Sequence, residues 1–278
     1  LVTTIRLPFT LPRLIRNAET QWRDVVRVRY AETIQRWQAR SLRELPAVEI
    51  LTGVRQIMDA SFDLYALYQS ALFPSANISE MLFTSVYDRM IKREGDPAAL
   101  TYLVGFDTTP ILAEKSLYDI AEWCRTRPPL AAYVADTPTG QLVAQLEARS
   151  VPGVDASDWE QWQARWDAHL RQFGHIIYDY DFSKPVPADD PAPLMDTCKM
   201  FLGGQLTSPY VRQQAAAERR EQATRAMIAR LKGLRRKLFR KLATWAQKSV
   251  PLREEGLADL GLGYPHLRQM LLELGRRF

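Results

Sequence analysis

Two places in this 278-residue chain gather side chains able to do polar chemistry. The first is FGHIIYDYDFSKPVPADDP, from Phe173 to Pro191, which sets one imidazole and four carboxylates among aromatic residues and prolines. His175, Asp179 and Asp181 are of types that ligate metals, but their spacing matches no zinc pattern, and no metal site is expected. Asp and Ser side chains also satisfy turn backbones, and prolines hold extended geometry. With Tyr178 and Tyr180 as packing anchors, so many acids point to a structural or substrate-facing connector. The second place is VPLREEGLADLGLGYPH, where Arg253 follows Pro251. A guanidinium at a helix junction suits a carboxylate or phosphate fork, and a salt bridge to Glu254 or Glu255 explains it without any ligand. GLGYPH is half a dinucleotide fingerprint with no strand before it, and the chain has no P-loop and no G-x-S-x-G.

The elements that must position these residues read as helices. Apolar residues recur at three- and four-residue spacing from Pro12 to about Leu42, then from Pro46 to a turn at Phe73-Pro74-Ser75. Ser79 is placed as the cap of a third helix. Asp96-Pro97 and Thr109-Pro110 have the form of further helix starts, and Arg127-Pro128-Pro129 of a break. Ser157-Asp158-Trp159-Glu160 has the form of a capping box, opening a helix that stacks Trp159, Trp162, Trp166, Leu170 and Phe173 on one side. His169 lies among these tryptophans as a core histidine, and Gly174 stands where a left-handed residue would end the helix. A short helix follows from Leu194 to Leu202. Tyr210 to about Val250 is the longest pattern, stopped by Pro251 and open to bending or division at Gly233. Tyr264 to Phe278 closes the chain as a last helix. The expectation is an all-α, multi-helix domain over 1–278, with possible subdomains 1–150 and 151–278.

The long helix is also the basic one. Between Val211 and Lys248 twelve Lys or Arg face only Glu218 and Glu221, a balance of +10 in a chain of net charge +5. Such a stripe can hold phosphates or an anionic surface. Yet Ile228, Leu231, Leu234, Leu238, Leu242 and Trp245 form an apolar seam along the same pattern, so a solvated face on a packed helix explains it. No nucleic-acid partner is expected from charge alone. Cys124 and Cys198 sit in apolar helical patterns as free buried thiols, suited to a reducing, cytoplasmic setting. No stretch has the apolar length of a membrane span. The opening LVTTIRLPF lacks a Met, and the chain is expected to be a piece of a longer protein.

Three stretches together resemble the central helical region of phosphoenolpyruvate synthase-like proteins, which include the rifampicin phosphotransferases. They are LTYLVGFDTTPILAEKSLYDIAEWCRTRPPLAAYV, FGHIIYDYDFSKPVPADDPAPLMDTCKMFLGG and VPLREEGLADLGLGYPHLRQMLLELGRRF. The resemblance implies a parent protein in which an ATP-grasp domain, using ATP and Mg²⁺, phosphorylates a histidine on a swivelling domain. That phosphohistidine then meets a small-molecule acceptor held by the helical region. The fragment itself would hold no cofactor and would not turn over alone. By the same resemblance Arg253 and Glu254 match an Arg-Glu pair, with Arg253 facing the transferred phosphoryl group. Leu257, one turn on, stands where some relatives carry a basic residue. His175 matches a Gly-His position, and Tyr178, Asp179 and Asp181 would form the connector's polar face, shaping the acceptor pocket or the dock for the swivelling domain. The contrasting expectation is a non-catalytic scaffold that binds a protein or anionic partner through the basic helix.

Overall fold

A computed structural model describes residues 17–177, 181 and 184–278. Among them every regular element is helical, so the all-α expectation holds. In chain order the α-helices are α1 (Arg27–Gln38), α2 (Ala47–Leu67), α3 (Phe73–Val86), α4 (Thr109–Arg125), α5 (Pro128–Asp136) and α6 (Thr139–Ala144). They continue with α7 (Ala156–Phe173), α8 (Ala192–Leu202), α9 (Pro209–Arg230), α10 (Gly233–Leu260) and α11 (Tyr264–Arg277). The described residues divide into two compact units, those within 1–108 and 213–278 forming one and those within 109–212 the other. The first is discontinuous in sequence, unlike the contiguous segments 1–150 and 151–278 suggested above.

In the first unit, wide π-helical turns at Trp22–Val26 and Tyr68–Leu72 interrupt the α pattern without ending the helical path, and a third, Tyr87–Ile91, closes the helix that holds α3. The middle one corrects the expected stop at Phe73-Pro74-Ser75. Proline lacks an N–H, and its ring collides with the carbonyl four residues back in a regular helix. Here the N–H of Phe73 instead reaches five residues back to the Tyr68 carbonyl, and the widened turn delivers Pro74 into the first turn of α3. Ser79 is therefore no cap: it is buried inside α3 and donates to the Ala76 carbonyl at 2.9 Å.

The long basic pattern is two helices. Gly233 takes φ +55°, a left-handed value open to glycine, and α10 restarts there in a new phase. The expected seam is broken by that reset. Leu231 is buried whereas Leu234 is 79 % exposed, and the buried face of α10 runs instead through Phe239, Ala243, Ala246, Ser249, Leu252 and Gly256. Nor does Pro251 stop the helix, which continues to Leu260. A mid-helix proline costs about 3 kcal/mol, and close packing on both sides of Pro251 offsets it.

That packing is against α3. Ser75, Ala76 and Ser79 face Ala243, Ala246 and Ser249, and the Ser75 and Ser249 hydroxyls meet at 3.4 Å. A Cβ on Gly256 would lie 2.8 Å from Cδ2 of buried Tyr68 and 3.3 Å from Cδ1 of Leu72. Small residues thus let α10 approach α3 and the turn before it. Toward the other end of the contact Phe83, Tyr87, Tyr102 and Phe239 pack with ring centroids 5.1–6.3 Å apart. Arg230, at the end of α9, clamps Asp96 with a bidentate fork of 2.6 and 2.7 Å. Asp96 accordingly caps no helix at Pro97; the loop there forms only the short 3₁₀ turn Ala99–Tyr102. Tyr30 ties α1 to the start of α11, accepting from the Gly263 N–H at 2.9 Å.

The second unit is built around α7. Asp155, not Ser157, caps it, accepting from the N–H groups of Ser157 at 2.9 Å and Asp158 at 3.2 Å. Trp159, Trp162, Trp166, His169 and Phe173 stack in sequence along one side of the helix, with centroids 5.0, 5.9, 6.1 and 5.3 Å apart. Leu117, Ile120, Leu130, Met195 and Phe201 complete the core with the buried free thiols Cys124 and Cys198, both pushed up to about 12 by burial. Among the described residues no helix is long and apolar enough to cross a membrane.

Two consequences are measurable. Glycine to alanine inside a helix ordinarily stabilises by up to ~1 kcal/mol. Gly256→Ala is expected to destabilise by about 1–3 kcal/mol in urea unfolding, because Tyr68 has nowhere to go. The Arg230 hydrogen bonds hold the Asp96 carboxyl below its ordinary range. The stability this contributes is complete above the unfolded-state pKa of about 3.9 and is lost as pH falls through the lower folded value. Asp96→Asn should cost ~1–3 kcal/mol at neutral pH, and its melting temperature should fall less than the wild type's on acidification below about pH 4.

Candidate functional site

Arg253 owes its position to α10's phase. It lies four residues after Ser249 and three before Gly256, on the face turned toward α3, and it is half-buried. It does not sit at a helix junction, as a stop at Pro251 would require. The guanidinium Nη1 donates to Asn77 Oδ1 at 3.1 Å and approaches Glu80 Oε2 at 3.4 Å, both on α3. Its Nε donates to Glu254 Oε1 at 3.1 Å. The expected pairing with Glu254 is therefore present, while Glu255 instead meets Arg23 at 2.7 Å. Asn77 and Glu80 were not legible from the sequence, being 176 and 173 positions from Arg253. Two carboxylates offset the charge, which makes Arg253 an oriented donor and not a bare cation. Among the described residues these contacts use Nε and Nη1 and leave the Nη2 edge of the fork for a further oxygen acceptor.

The other candidates belong to the second unit. Gly174 ends α7 with φ −65°, not in the left-handed region expected of it. Its lack of a side chain matters for space: a Cβ would collide with the Leu170 carbonyl and lie 3.0 Å from the Ala188 side chain. The Ala188 N–H bonds the Gly174 carbonyl at 2.9 Å, so the connector folds back on the helix end. Ile176, Ile177 and Val186 are buried and anchor it. His175 is half-buried and Asp181 exposed, whereas Tyr178 and Asp179 lie outside the described residues. The acids nearest Pro191 serve the backbone. Asp189 accepts from the Val186 N–H at 3.4 Å, and Asp190 from the Ala192 N–H at 3.2 Å. Among the described residues no group of three or more His, Cys, Asp or Glu is arranged to hold a metal. His175 and Asp181 are in a different compact unit from Arg253 and Glu254.

One cleft of about 220 Å³ in the second unit escaped the sequence reading; Ser116, Asp119, Arg165, His169 and Gln172 line it. His169 Nδ1 is 3.0 Å from Ser116 Oγ, and its buried Nε2 has no hydrogen-bond partner among the described residues. Burial lowers its pKa to about 4, so the ring is neutral near pH 7. A serine on Nδ1 with nothing on Nε2 is not the arrangement of a nucleophilic triad, in which the two ring nitrogens have serine and acid as their partners. The expectation of a satisfied core histidine is met at only one nitrogen.

No curated protein matches the chain. The family model described as rifampicin phosphotransferase fourth domain matches residues 74–254, a span that opens at Pro74 beside the wide turn and closes just after Arg253. That span takes in α3 with Asn77 and Glu80, the whole second unit, and α10 as far as Glu254. The chain belongs to the rifampicin phosphotransferase fourth-domain family.

Proposed function

We propose that the chain is the acceptor-binding or linker domain of an ATP-dependent phosphotransferase. In the longer parent protein a separate ATP-grasp domain would use ATP and Mg²⁺ to charge a histidine on a swivelling domain. That phosphohistidine would then phosphorylate a hydroxyl of a small molecule held by the helical region, in the cytoplasm. The observation that carries this reading is the placement of Arg253 within the family's matched span, its guanidinium aimed by Asn77, Glu80 and Glu254. Phosphoryl transfer depends chiefly on positioning and on fixed donors directed at developing charge. Arg253 supplies such a donor. With Leu257 one turn further along, the donor is single and not an Arg/Lys clamp. The connector, through His175, Tyr178, Asp179 and Asp181, would shape the acceptor pocket or the dock of the swivelling domain.

A second reading has one observation in its favour. The five cations of α9 are engaged: Arg212 with Glu114, Arg219 with the Ala215 carbonyl, Arg220 with the Val104 and Gly105 carbonyls, Arg225 with Glu221, and Arg230 with Asp96. In contrast Lys232, Arg235, Arg236, Lys237 and Arg240 stand exposed where α10 begins, and none forms an ion pair among the described residues. This cluster suits an anionic partner of a non-catalytic scaffold.

In the full-length parent, Arg253→Ala should leave ATP-driven phosphohistidine formation intact. Transfer to the acceptor should slow ~100-fold or more, with partial recovery in Arg253→Lys. Unchanged transfer would remove Arg253 from the mechanism, and absence of any ATP-dependent phosphohistidine would remove the phosphotransferase reading itself. The scaffold reading predicts that polyphosphate binds the 278-residue chain with an affinity that falls steeply with salt. It also predicts loss of that binding when Arg235 and Lys237 are both changed to Glu; salt-independent binding, or none, counts against it.

A further inference from the structure

Helix α2 is apolar on two sides. One side, with Ile50, Val54, Ile57 and Leu64, is buried in the first unit. The other carries Val48, Leu51, Met58, Phe62 and Tyr65, which remain 38–73 % exposed. A helix serving one core needs a single apolar face. The second stripe has the spacing of a coiled-coil seam: positions 48, 51, 55, 58, 62 and 65 alternate steps of three and four. Its one polar member is Arg55, which lies 3.8 Å from Asp59 of the next turn, both side chains largely exposed.

We infer that this stripe is the contact of a symmetric dimer, in which α2 lies antiparallel to α2 of a second copy of the chain. The choice of occupant follows from the stripe's self-complementarity. A two-fold axis between residues 56 and 57 sets Val48 against Tyr65, Leu51 against Phe62 and Arg55 against Met58 of the other copy. It also brings each Arg55 beside the other copy's Asp59, so the exposed charges pair across the contact. Parallel pairing would instead oppose Arg55 to Arg55. A two-fold contact needs a self-complementary patch, and this helix provides one in both shape and charge. One 21-residue helix per copy is a contact at the low end of specific interfaces, so dissociation is expected in the range of roughly 10–100 μM.

The test is sedimentation of the 278-residue chain across that range. The expected result is a reversible shift from 31.9 kDa to twice that mass. Phe62→Glu and, separately, Leu51→Lys should weaken association at least tenfold; both sites are solvent-exposed, and circular dichroism reports whether the helices persist. Charge reversal at Arg55 alone should weaken it, and the exchange Arg55→Asp with Asp59→Arg should restore it. Register is read by mixing Leu51→Cys chains with Phe62→Cys chains, which should cross-link to each other in preference to themselves. The native Cys124 and Cys198 are buried and contribute little background. A monomer at every concentration up to about 1 mM, where a 10–100 μM contact would be nearly saturated, overturns the inference. So does a dimer insensitive to both stripe substitutions, or cross-linking without preference for the mixed pair.

Discussion

The close approach of α10 to α3 is the constraint on which the first unit depends. It exists because both helices present small side chains where they meet, with Ala243, Ala246 and Ser249 against Ser75, Ala76 and Ser79, and a glycine against Tyr68. Packed this closely, the pair has a definite phase, and that phase decides which later side chain of α10 reaches α3. Arg253 is that side chain. Its partners Asn77 and Glu80 are one helical step apart, so the two acceptors lie side by side under one guanidinium. The small residues between the helices set the phase, and Asn77, Glu80 and Glu254 then aim the guanidinium.

In the second unit the ordering principle is aromatic. Three tryptophans at three- and four-residue spacing stack along α7, and the imidazole of His169 takes the next place in the column. Membership of an apolar column suppresses protonation of the ring, and Ser116 satisfies only one of its nitrogens. The connector starts from the end of the same helix and is held by ordinary means: two isoleucines and a valine inside, and aspartates on turn amides.

Most of the helices were legible, since apolar spacing states them directly, and the last helix and the tryptophan stripe fall where the pattern puts them, whereas α5 and α6, beyond the break at Arg127-Pro128-Pro129, were not read. The punctuation was less so. Pro74 and Pro251 read locally as stops, yet a widened turn admits the first and tertiary packing overrides the second; neither device leaves a mark at a 3.6-residue period. Ser157 and Asp155 both suit a cap, and only backbone geometry chooses between them. Gly233 was legible as a division, but not the phase reset that moves Leu234 out of the seam. At the candidate site Arg253 and Glu254 could be named from their segment, whereas Asn77, Glu80 and the Ser116–His169 pair come together only through folding.

The three wide turns bear on how the chain length of this unit can vary. A π turn holds one residue more than the α-helical turn it replaces. Removing a residue from Trp22–Val26 would let the turn close while the helices on either side keep their faces. A deletion elsewhere in a helix rotates all that follows by about 100°. Tyr68–Leu72 has no such freedom, because closing it would drive the ring of Pro74 onto a carbonyl. Of these two insertions, the first is a spare residue and the second is bound to its proline, so the one could be lost singly whereas the other could go only together with Pro74.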